Sequence, residues 1–431
     1  MRILLILPYD TTYRYKTAFI PAISYQPLTL STLAALIPAE FNAQITPVDE
    51  GVQKIDSYLR GRYDLVGISA VTSSSIRAYE LARFFKAKGS YVFIGGHHAT
   101  LLPDEAAQHC DTVFTGSAEV TLPQFFYDYA RHNPQPRYDS PGVAAEKIPL
   151  PRRDLMPKKG YLKQPTLLAD LGCANHCKYC VIHPFWGASA RRPIASVIDE
   201  IKRLGAKEYI FLDPSPASDR DYAKALYSEM AALGISWVGL STLDAVDDGE
   251  LLDLLQKSGC MGILLGFETF NQTSLDMLSK TKNKVERYGK IVAKLHDKKI
   301  AVLGTFMLGL ESDTRENLAA LPELVAEIKI DIPRYAVLTP YPTTPLFEEL
   351  DAQGRILTRD WSKYDSIHCV FQPAHMSAKE LEAASVQVWK DTYATKRIAA
   401  RMRQTPQKKL AALATNIGFS IYANRLGRLL K

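Results

Sequence analysis

Short apolar runs alternate with segments of helical spacing over the first 130 residues of the chain. The apolar runs cover residues 2–7, 65–68, 92–94 and 113–114, and apolar residues recur at helical spacing in 28–36, 76–85 and 122–129. This alternation predicts a parallel sheet with helices on both faces. Glycines follow two of the predicted strands, at Gly95, Gly96 and Gly116, where a doubly wound sheet opens its ligand crevice. We therefore predict a Rossmann- or flavodoxin-like binding domain over residues 1–135.

A proline-rich stretch interrupts the pattern, with seven prolines between residues 133 and 165. We interpret residues 136–165 as a linker, because proline-rich sequence without periodicity does not form a core element. The alternation then resumes, with predicted strands at 166–171, 209–213, 237–241, 261–267, 300–308 and 335–338. Six consecutive βα units with right-handed crossovers predict a partial TIM-like barrel over residues 166–350, with reactive groups at the carboxyl ends of its strands.

Residues 351–431 are predicted to form a helical extension with a basic tail. From Lys396 onward the chain carries nine Lys or Arg residues and no acidic residue. Within the tail, apolar residues fall near helical spacing at Leu410, Leu413, Ile417, Ile421 and Leu426. A terminal helix packed on the barrel is the favoured interpretation, and peripheral contact with an anionic membrane is the alternative. Without a stripe of interleaved aromatic residues, the charge does not favour nucleic acid as a partner.

Cysteine usage indicates a reducing compartment, hence the cytoplasm. Six cysteines in 431 residues, three of them within eight positions, do not form a secreted disulfide framework. The opening apolar run ends at Pro8 and is too short for a secretory signal or a membrane span.

The clustered cysteines are Cys173, Cys177 and Cys180, in the sequence CANHCKYC directly after the first predicted barrel strand. Three thiolates on one loop can bind three irons of a four-iron, four-sulfur cluster and leave the fourth iron without a protein ligand. A structural cluster normally has four cysteines, so an open iron suggests that a cofactor or substrate binds there. Zinc is the alternative, with His176 or His183 as a fourth ligand.

CANHCKYC resembles the signature of the radical SAM family, with Tyr179 as the aromatic residue before the last cysteine. The resemblance implies that the open iron chelates S-adenosylmethionine (SAM), whose reductive cleavage yields a 5′-deoxyadenosyl radical. It continues at the ends of later strands in the motifs FLD, GILLGFE, GTFMLG and PYPTTP. By this resemblance, the predicted SAM contacts are Tyr179, Asp213, Ser241, Gly266 and Glu268. Many relatives have an arginine soon after the third strand, where this chain reads STLD.

The first domain resembles the cobalamin-binding domain that precedes the barrel in one branch of this family. The motifs QPLTL, VGIS, IGGHHAT, TGSAE and IPLPRRDL carry the resemblance. Glycines after strands let the corrin tail lie against the backbone, and hydroxyl groups can bond it. The predicted cobalamin contacts are Ser69, Thr72, Gly95, Gly96, His98, Gly116 and Glu119. The DxHxxG motif is missing, which predicts cobalamin without a histidine below cobalt, and His97 and His98 are the residues that test this.

Membership of this branch implies a methyltransferase that acts on an unactivated carbon by way of methylcobalamin and the deoxyadenosyl radical. The alternatives are a cobalamin-dependent cyclase, ring-contracting or oxidative enzyme, and, from a different class, a non-catalytic cobalamin carrier or sensor. The tRNA methylthiotransferases are disfavoured, because they bind a second cluster through three N-terminal cysteines and residues 1–150 contain only Cys110. The expected partners are a small-molecule or lipid-like substrate and an electron donor such as flavodoxin or ferredoxin.

Overall fold

The computed structural model describes residues 1–9, 24–406 and 408–430, which form two six-stranded sheets and a small hairpin. In the first sheet the strand order is β2-β1-β3-β4-β5-β6, and all neighbouring strands are parallel. This is the flavodoxin-like order extended by one strand, which confirms the predicted fold class. The strands are β1 (Arg2–Leu7), β2 (Gln44–Asp49), β3 (Leu65–Ser69), β4 (Tyr91–Gly95), β5 (Thr112–Thr115) and β6 (Arg137–Asp139).

Helices cover both faces of this sheet, and successive residues of β1 therefore enter two different cores. Leu4 and Ile6 pack on one side, whereas Ile3 and Leu5 pack on the other. Burial on both faces explains why β1 is continuously apolar instead of alternating. The helices of this domain are α1 (Thr29–Leu36), α2 (Asp56–Leu59), α3 (Ser75–Ala87), α4 (His97–Leu101), α5 (Pro103–Ala107) and α6 (Thr121–Ala130).

The two outer strands of the first sheet, β2 and β6, have no counterpart in the strands predicted from sequence. β2 contains Pro47, which lacks an amide hydrogen and is tolerated because the strand lies at the sheet edge. β6 is three residues long and lies within the proline-rich region, so the sheet continues slightly beyond residue 135. Both are edge strands, and pairing with their single neighbouring strand holds them in the sheet. Their own sequences therefore need only a weak strand pattern.

The second sheet has the order β14-β13-β12-β11-β10-β7, again with parallel neighbours. Successive strands along the chain are thus adjacent in space, as the predicted partial barrel requires. The strands of this domain are β7 (Thr166–Leu167), β8 (Asp170–Leu171), β9 (Ala190–Arg191), β10 (Glu208–Phe211), β11 (Ser236–Ser241), β12 (Cys260–Glu268), β13 (Ala301–Leu308) and β14 (Ile332–Val337).

The longer barrel helices each bury one apolar face against these strands, whereas the short first helix has no buried residue. In the second barrel helix, Val197, Ile198 and Ile201 are buried, and this spacing places them on one face. The helices are α7 (Ile182–Trp186), α8 (Ile194–Leu204), α9 (Arg220–Ala231), α10 (Gly249–Lys257), α11 (Gln272–Met277), α12 (Tyr288–Asp297), α13 (Arg315–Glu327) and α14 (Pro345–Ala352).

The first barrel strand is shorter than the sequence predicts. Residues 166–171 divide into β7, which pairs with β10, and β8, which leaves the sheet and pairs with β9 in an antiparallel hairpin. The division has a local cause, because one carboxylate oxygen of Asp213 accepts the amide hydrogens of Ala169 and Asp170, at 2.7 and 2.5 Å. Those amides therefore point at a side chain instead of continuing a strand ladder. The β8–β9 hairpin becomes the base of the cysteine loop.

Three helices follow the barrel: α15 (Ala378–Thr392), α16 (Thr395–Gln404) and α17 (Lys409–Leu429). α15 packs on α13 and β14, and α17 packs on α15, where Trp389 and Tyr393 contact the ring of Phe419. The structure thus places the tail helix on the barrel, as the favoured interpretation expects. Among the described helices, none has both the length and the apolar character needed to cross a membrane.

A buried ion network joins the linker to the barrel. Glu200 of α8 is 2% exposed and lies 2.7 Å from the guanidinium groups of both Arg153 and Arg192. Arg153 also donates to the carbonyl of Thr166, and Arg192 donates to that of Leu168. The network therefore fixes both arginines around β7, directly before the cysteine loop.

We expect the Glu200→Gln variant to lose about 3 kcal/mol of unfolding free energy, because two guanidinium groups would stay buried without a counter-charge. Urea unfolding would measure the loss. Asp199→Asn is the matched control on the same helix, since Asp199 forms an exposed pair with Arg203 and should contribute under about 0.5 kcal/mol. Equal losses in the two variants would contradict a structural role for the network.

Candidate active site

The cysteine loop leaves β8 and is held in place by backbone contacts on both sides. Gly172 has φ of +78°, and a side chain there would overlap the carbonyl of Ala188. Lys178, inside the loop, donates its amide to the carbonyl of Leu278 at 3.2 Å and accepts the amide of Leu346 at 3.1 Å. The loop is therefore clamped between the ends of two other barrel segments, which fixes the direction in which its cysteines project.

Cys173, Cys177 and Cys180 are all free and partly exposed. Burial and the other loop cysteines raise the pKa of Cys180 to about 11, and burial raises the pKa of Cys177. The backbone amide and the side-chain amide of Asn175 lie 3.4 and 3.5 Å from the Cys173 sulfur. Thiols that stay protonated without metal release their protons when iron binds, so cluster assembly here is coupled to proton release.

The rings of His176 and His183 pack against each other at an angle of 59°, with centroids 4.1 Å apart. His183 also lies 3.4 Å from the carbonyl of Cys173. In the described ranges, no three His, Cys, Asp or Glu side chains form a group that could hold a single metal ion.

Tyr179 belongs to a buried triad with Glu268 and Lys280. The Tyr179 hydroxyl donates to Glu268 Oε1 at 3.0 Å, and the Lys280 ammonium lies 2.5 Å from the same oxygen and 3.2 Å from the tyrosine oxygen. Glu268 ends β12 with φ of +69°, a left-handed conformation that is uncommon for a residue with a side chain. A side chain at Gly266 would overlap the Glu268 carboxylate. The glycine therefore makes room for the ion pair.

An open cleft lies beside the cysteine loop and brings two of the predicted SAM contacts, Ser241 and Gly266, to the same place as Cys177. Its other walls are formed by the loop residues 174–176, by residues 242–244 after β11 and by residues 279–283, which include Lys280. Tyr179 and Glu268 do not line the cleft themselves, but both are hydrogen-bonded to Lys280, which does. Four of the five predicted SAM contacts thus converge on one region.

Asp213 is the exception, because it does not line this cleft. It is 1% exposed, and one of its oxygens is used by the amides of Ala169 and Asp170. Its other oxygen has no hydrogen-bond partner among the described residues. Burial, and secondly the neighbouring Asp170, raise the pKa of Asp213 to about 7. Asp213 therefore shapes the base of the cysteine loop, and its contact with SAM stays a prediction.

The cleft fits a zwitterionic nucleoside such as SAM by the chemistry of its donor set. Lys280 offers a cation, and Ser241 offers a hydroxyl group. Asp244 offers a buried oxygen, Oδ1, that has no partner in the described chain. The other oxygen of Asp244 accepts a hydrogen bond from Arg220 of α9 at 2.8 Å. A guanidinium group thus reaches the end of the third barrel strand from a helix, although the sequence has no arginine there.

Sequence reasoning missed three residues of the site: Asp244, which follows the predicted contact Ser241 by three positions, Lys280 and Arg220. Lys280 lies in a lysine-rich stretch after α11, and Arg220 begins α9; neither position has a spacing signal. Only the folded chain brings them to the strand ends.

In the first domain, the predicted cobalamin contacts lie at the carboxyl edge of the sheet. Ser69 ends β3, Thr72 follows it, and Gly95 ends β4. Gly96 has φ of +97°, and a side chain there would lie 2.7 Å from the carbonyl oxygen of Ala70. Gly116 has φ of +66°, and a side chain there would lie 2.9 Å from Ser140. Loop packing within the protein is thus sufficient to require both glycines, whatever ligand lies against them.

Three buried polar atoms on these loops have no hydrogen-bond partner in the described chain: His98 Nδ1, Ser117 Oγ and Glu119 Oε2. Burial raises the pKa of Glu119. An unsatisfied buried polar atom costs about 1–3 kcal/mol, so a ligand with several donors and acceptors would be stabilised here. The amide-rich tail of cobalamin meets that requirement, and the residues present fit the group.

The carboxyl edge of the first sheet and the cysteine-loop end of the barrel are in direct contact. His97 of α4 packs against Phe185 of α7, the helix that follows the cysteine loop, with ring centroids 4.1 Å apart. Burial lowers the pKa of His97 to about 4, so the ring stays neutral. The other ring nitrogen of His98, Nε2, lies 3.3 Å from Glu105. Glu105 also accepts hydrogen bonds at 3.0 Å from Tyr79 and from the indole of Trp361, which lies after the barrel.

Aromatic residues after the barrel contribute mainly to the core. Trp361 and Tyr364 belong to a buried cluster with Phe347 and Val370, against which Tyr341 packs, and Phe371 belongs to the barrel core. Through Trp361, this cluster also contacts Glu105 of the first domain.

Comparisons with known proteins agree with this arrangement. Residues 171–325 match the model of the radical SAM superfamily, and residues 23–126 match that of the B12 binding domain. The chain is 30% identical over 392 residues to the bacteriochlorophyllide d C-12(1)-methyltransferase of Chlorobaculum tepidum, which covers 88% of this chain and 85% of that protein. It is 26% identical to the C-8(2)-methyltransferase of the same organism, with 91% and 90% covered.

A solved structure of the radical SAM methyltransferase TsrM from Kitasatospora setae superposes with a TM-score of 0.67, at 17% identity, and covers 82% of this chain and 76% of that one. The cobalamin-dependent enzyme OxsB gives a TM-score of 0.69 at 13% identity, covering 100% and 72%. These two likenesses confirm the fold. The extent of the similarity to the first methyltransferase and the matches to both family models show that the chain is a member of the cobalamin-binding radical SAM family, an enzyme family that uses a 4Fe–4S cluster, SAM and cobalamin and includes methyltransferases.

Proposed function

We propose that this enzyme methylates an unactivated carbon of a small apolar or lipid-like molecule. The observation that carries the proposal is the contact of α7 with α4, which sets the end of the cysteine loop against the cobalamin-binding edge. Bound together, the cofactors supply a radical that removes hydrogen from carbon and a methyl group that replaces it. Both must act on one substrate atom, and strand ends that face each other allow this.

The protein's own residues hold and orient these groups. The three cysteines would bind the cluster, and Lys280 would hold the carboxylate end of SAM. Glu268 and Tyr179 fix the position of the Lys280 ammonium group. Ser241 and Asp244 bond the polar groups of the nucleoside. Ser69, Thr72 and the partnerless atoms of Ser117 and Glu119 hold the cobalamin tail.

The substrate class is inferred from a second cleft beside the cysteine loop. Seven of its lining residues are apolar and six are polar or charged: Met277, Leu278, Leu310, Leu338, Leu346, Leu350 and Phe371, then Lys178, Ser274, Glu311, Glu349, Gln353 and Arg355. A lining of this mixed kind suits a molecule with a large hydrocarbon part that also carries polar substituents. The similar bacteriochlorophyllide d methyltransferases are named for a substrate of that kind.

Radical SAM chemistry also requires a reductant. We propose that a flavodoxin or ferredoxin supplies the electrons, since these proteins are one-electron carriers.

We expect the triple variant Cys173→Ala, Cys177→Ala, Cys180→Ala to lose its iron, its sulfide and all reductive SAM cleavage, because no thiolate would remain to bind the cluster. Iron and sulfide analysis after anaerobic reconstitution would measure this. Cys369→Ala is the control, because Cys369 is a buried thiol outside the loop, with a pKa raised by burial to about 12. Undiminished iron in the triple variant would refute the cluster assignment.

Lys280→Met should weaken SAM binding by roughly 10- to 100-fold, the effect expected when a charge-assisted hydrogen bond is removed. Equilibrium binding of SAM to the reconstituted protein would measure the change. Lys284→Met, at an exposed position of the same segment, should leave the affinity unchanged. Equal affinity of the Lys280 variant and the wild type would exclude Lys280 from the SAM site.

Turnover should release S-adenosylhomocysteine and 5′-deoxyadenosine in equal amounts for each methylated product, because one SAM supplies the methyl group and a second supplies the radical. Quantitative chromatography with an apolar tetrapyrrole as a trial substrate would test this. Deoxyadenosine formed with a changed substrate but without methyl transfer would instead favour a cyclase or an oxidative enzyme.

A further inference from the structure

The first half of helix α17 turns three large apolar side chains away from the protein, whereas in its second half Leu426 is buried and Phe419 packs on the barrel core. Leu410, Leu413 and Ile417 are 85%, 37% and 48% exposed. The face that packs on the body is formed by smaller residues in its first half, such as Ala412 and Asn416. A terminal helix that only packs on a barrel shows the opposite distribution, with its large apolar residues buried. We call these three exposed residues the α17 stripe.

The stripe lies at the end of the barrel opposite the cysteine loop. Lys408 contacts Glu208 at the start of β10, at 3.0 Å, and the Asn416 amide donates to the carbonyl of Asp331, directly before β14. The first half of α17 therefore crosses the amino ends of the barrel strands. The clefts at the carboxyl ends stay open to solvent when the stripe is covered.

The surroundings of the stripe are positively charged. Residues 396–431 contain nine Lys or Arg residues and no acidic one. The exposed cations are Lys396, Arg403, Lys408, Lys409, Arg425 and Arg428. Arg334 of β14 adds another exposed cation 5.9 Å from the ring of Phe419. Two acids from the barrel pair with cations of this segment: Glu208 with Lys408, and Glu323 of α13 with Arg397.

The positive charge around the stripe favours one kind of partner over another. A second copy of the chain would bring an equally basic tail against the first, and the two would repel each other. A bilayer with anionic headgroups offers charge of the opposite sign and, below it, hydrocarbon for the stripe. The observed combination of apolar centre and cationic flanks fits that surface.

We propose that the α17 stripe docks the enzyme on an anionic membrane, with α17 lying in the headgroup region and the cofactor clefts on the far side of the barrel. Membrane contact thus serves to retain the enzyme at the bilayer surface. The substrate must leave or extend from the bilayer to reach the cysteine loop, since the stripe and the loop are at opposite ends of the strands.

Sedimentation with vesicles tests the docking surface. The full-length reconstituted protein should sediment with vesicles of phosphatidylglycerol and phosphatidylcholine, but not with phosphatidylcholine alone, and added salt should weaken the binding. The triple variant Leu410→Ser, Leu413→Ser, Ile417→Ser should bind at least about tenfold more weakly, because three apolar side chains no longer enter the bilayer. Leu357→Ser is the matched control, since Leu357 is exposed (52%) outside the tail.

Cluster content and SAM cleavage in solution should be unchanged in the triple variant, because its three residues are remote from the clefts. Failure of this proposal is thus distinguishable from failure of the proposed function. Wild-type protein that ignores anionic vesicles, or a triple variant that binds as well as wild type, would overturn it. A wild-type dimer that the triple variant converts to monomer in sedimentation velocity would also overturn it, in favour of a second copy.

Discussion

The contact between the two carboxyl edges is the constraint on which the rest of this molecule depends. Each sheet is parallel, so each collects its loops at one edge, and a shared reaction requires the two edges to face each other. The ring contact of His97 with Phe185 and the hydrogen bonds of Glu105 with Tyr79 and Trp361 hold them in that orientation. Of these hydrogen bonds, the one from Trp361 crosses between the domains, and a rotation between them would break it.

Several polar atoms without partners in the described chain lie where the ligands are expected, and others lie elsewhere, for example in the ion network of Glu200. At the cleft the atom is Asp244 Oδ1, and at the cobalamin-binding edge the atoms are Ser117 Oγ and Glu119 Oε2. Native proteins satisfy the great majority of their buried polar groups, so a bound ligand would stabilise these atoms. The raised pKa values of Asp170 and Asp213, each about 7, have the same origin in desolvation. Bound ligands would therefore supply the hydrogen bonds that the protein itself leaves unmade at the two edges.

The sequence predicted much of the fold, because its signals there are local. Continuous apolar runs indicated β1, β3, β4 and β5, and the alternation of strands with helical segments indicated both architectures. It missed β2, in which Pro47 weakens the strand signal, and it predicted one strand where Asp213 divides β7 from β8. In the site, the cysteines, Ser241, Gly266 and Glu268 were predicted from motifs, and the folded chain brings them to one region. Lys280 and Arg220 were not predicted, because the sequence around each of them is typical of an ordinary exposed segment.

The sequence by itself determined which chemistry this chain can host: the spacing of three cysteines on one loop, and two runs of βα units separated by prolines. Each of these features is visible in a short stretch of sequence, because the backbone geometry of a helix, strand or loop fixes how residues close together in the chain are arranged. Only the tertiary structure decided that Lys280 meets Tyr179 and Glu268, that Trp361 reaches Glu105, and that the α17 stripe faces outward. Such contacts join residues up to 256 positions apart. They follow from how all the elements pack together, and no local pattern contains that information.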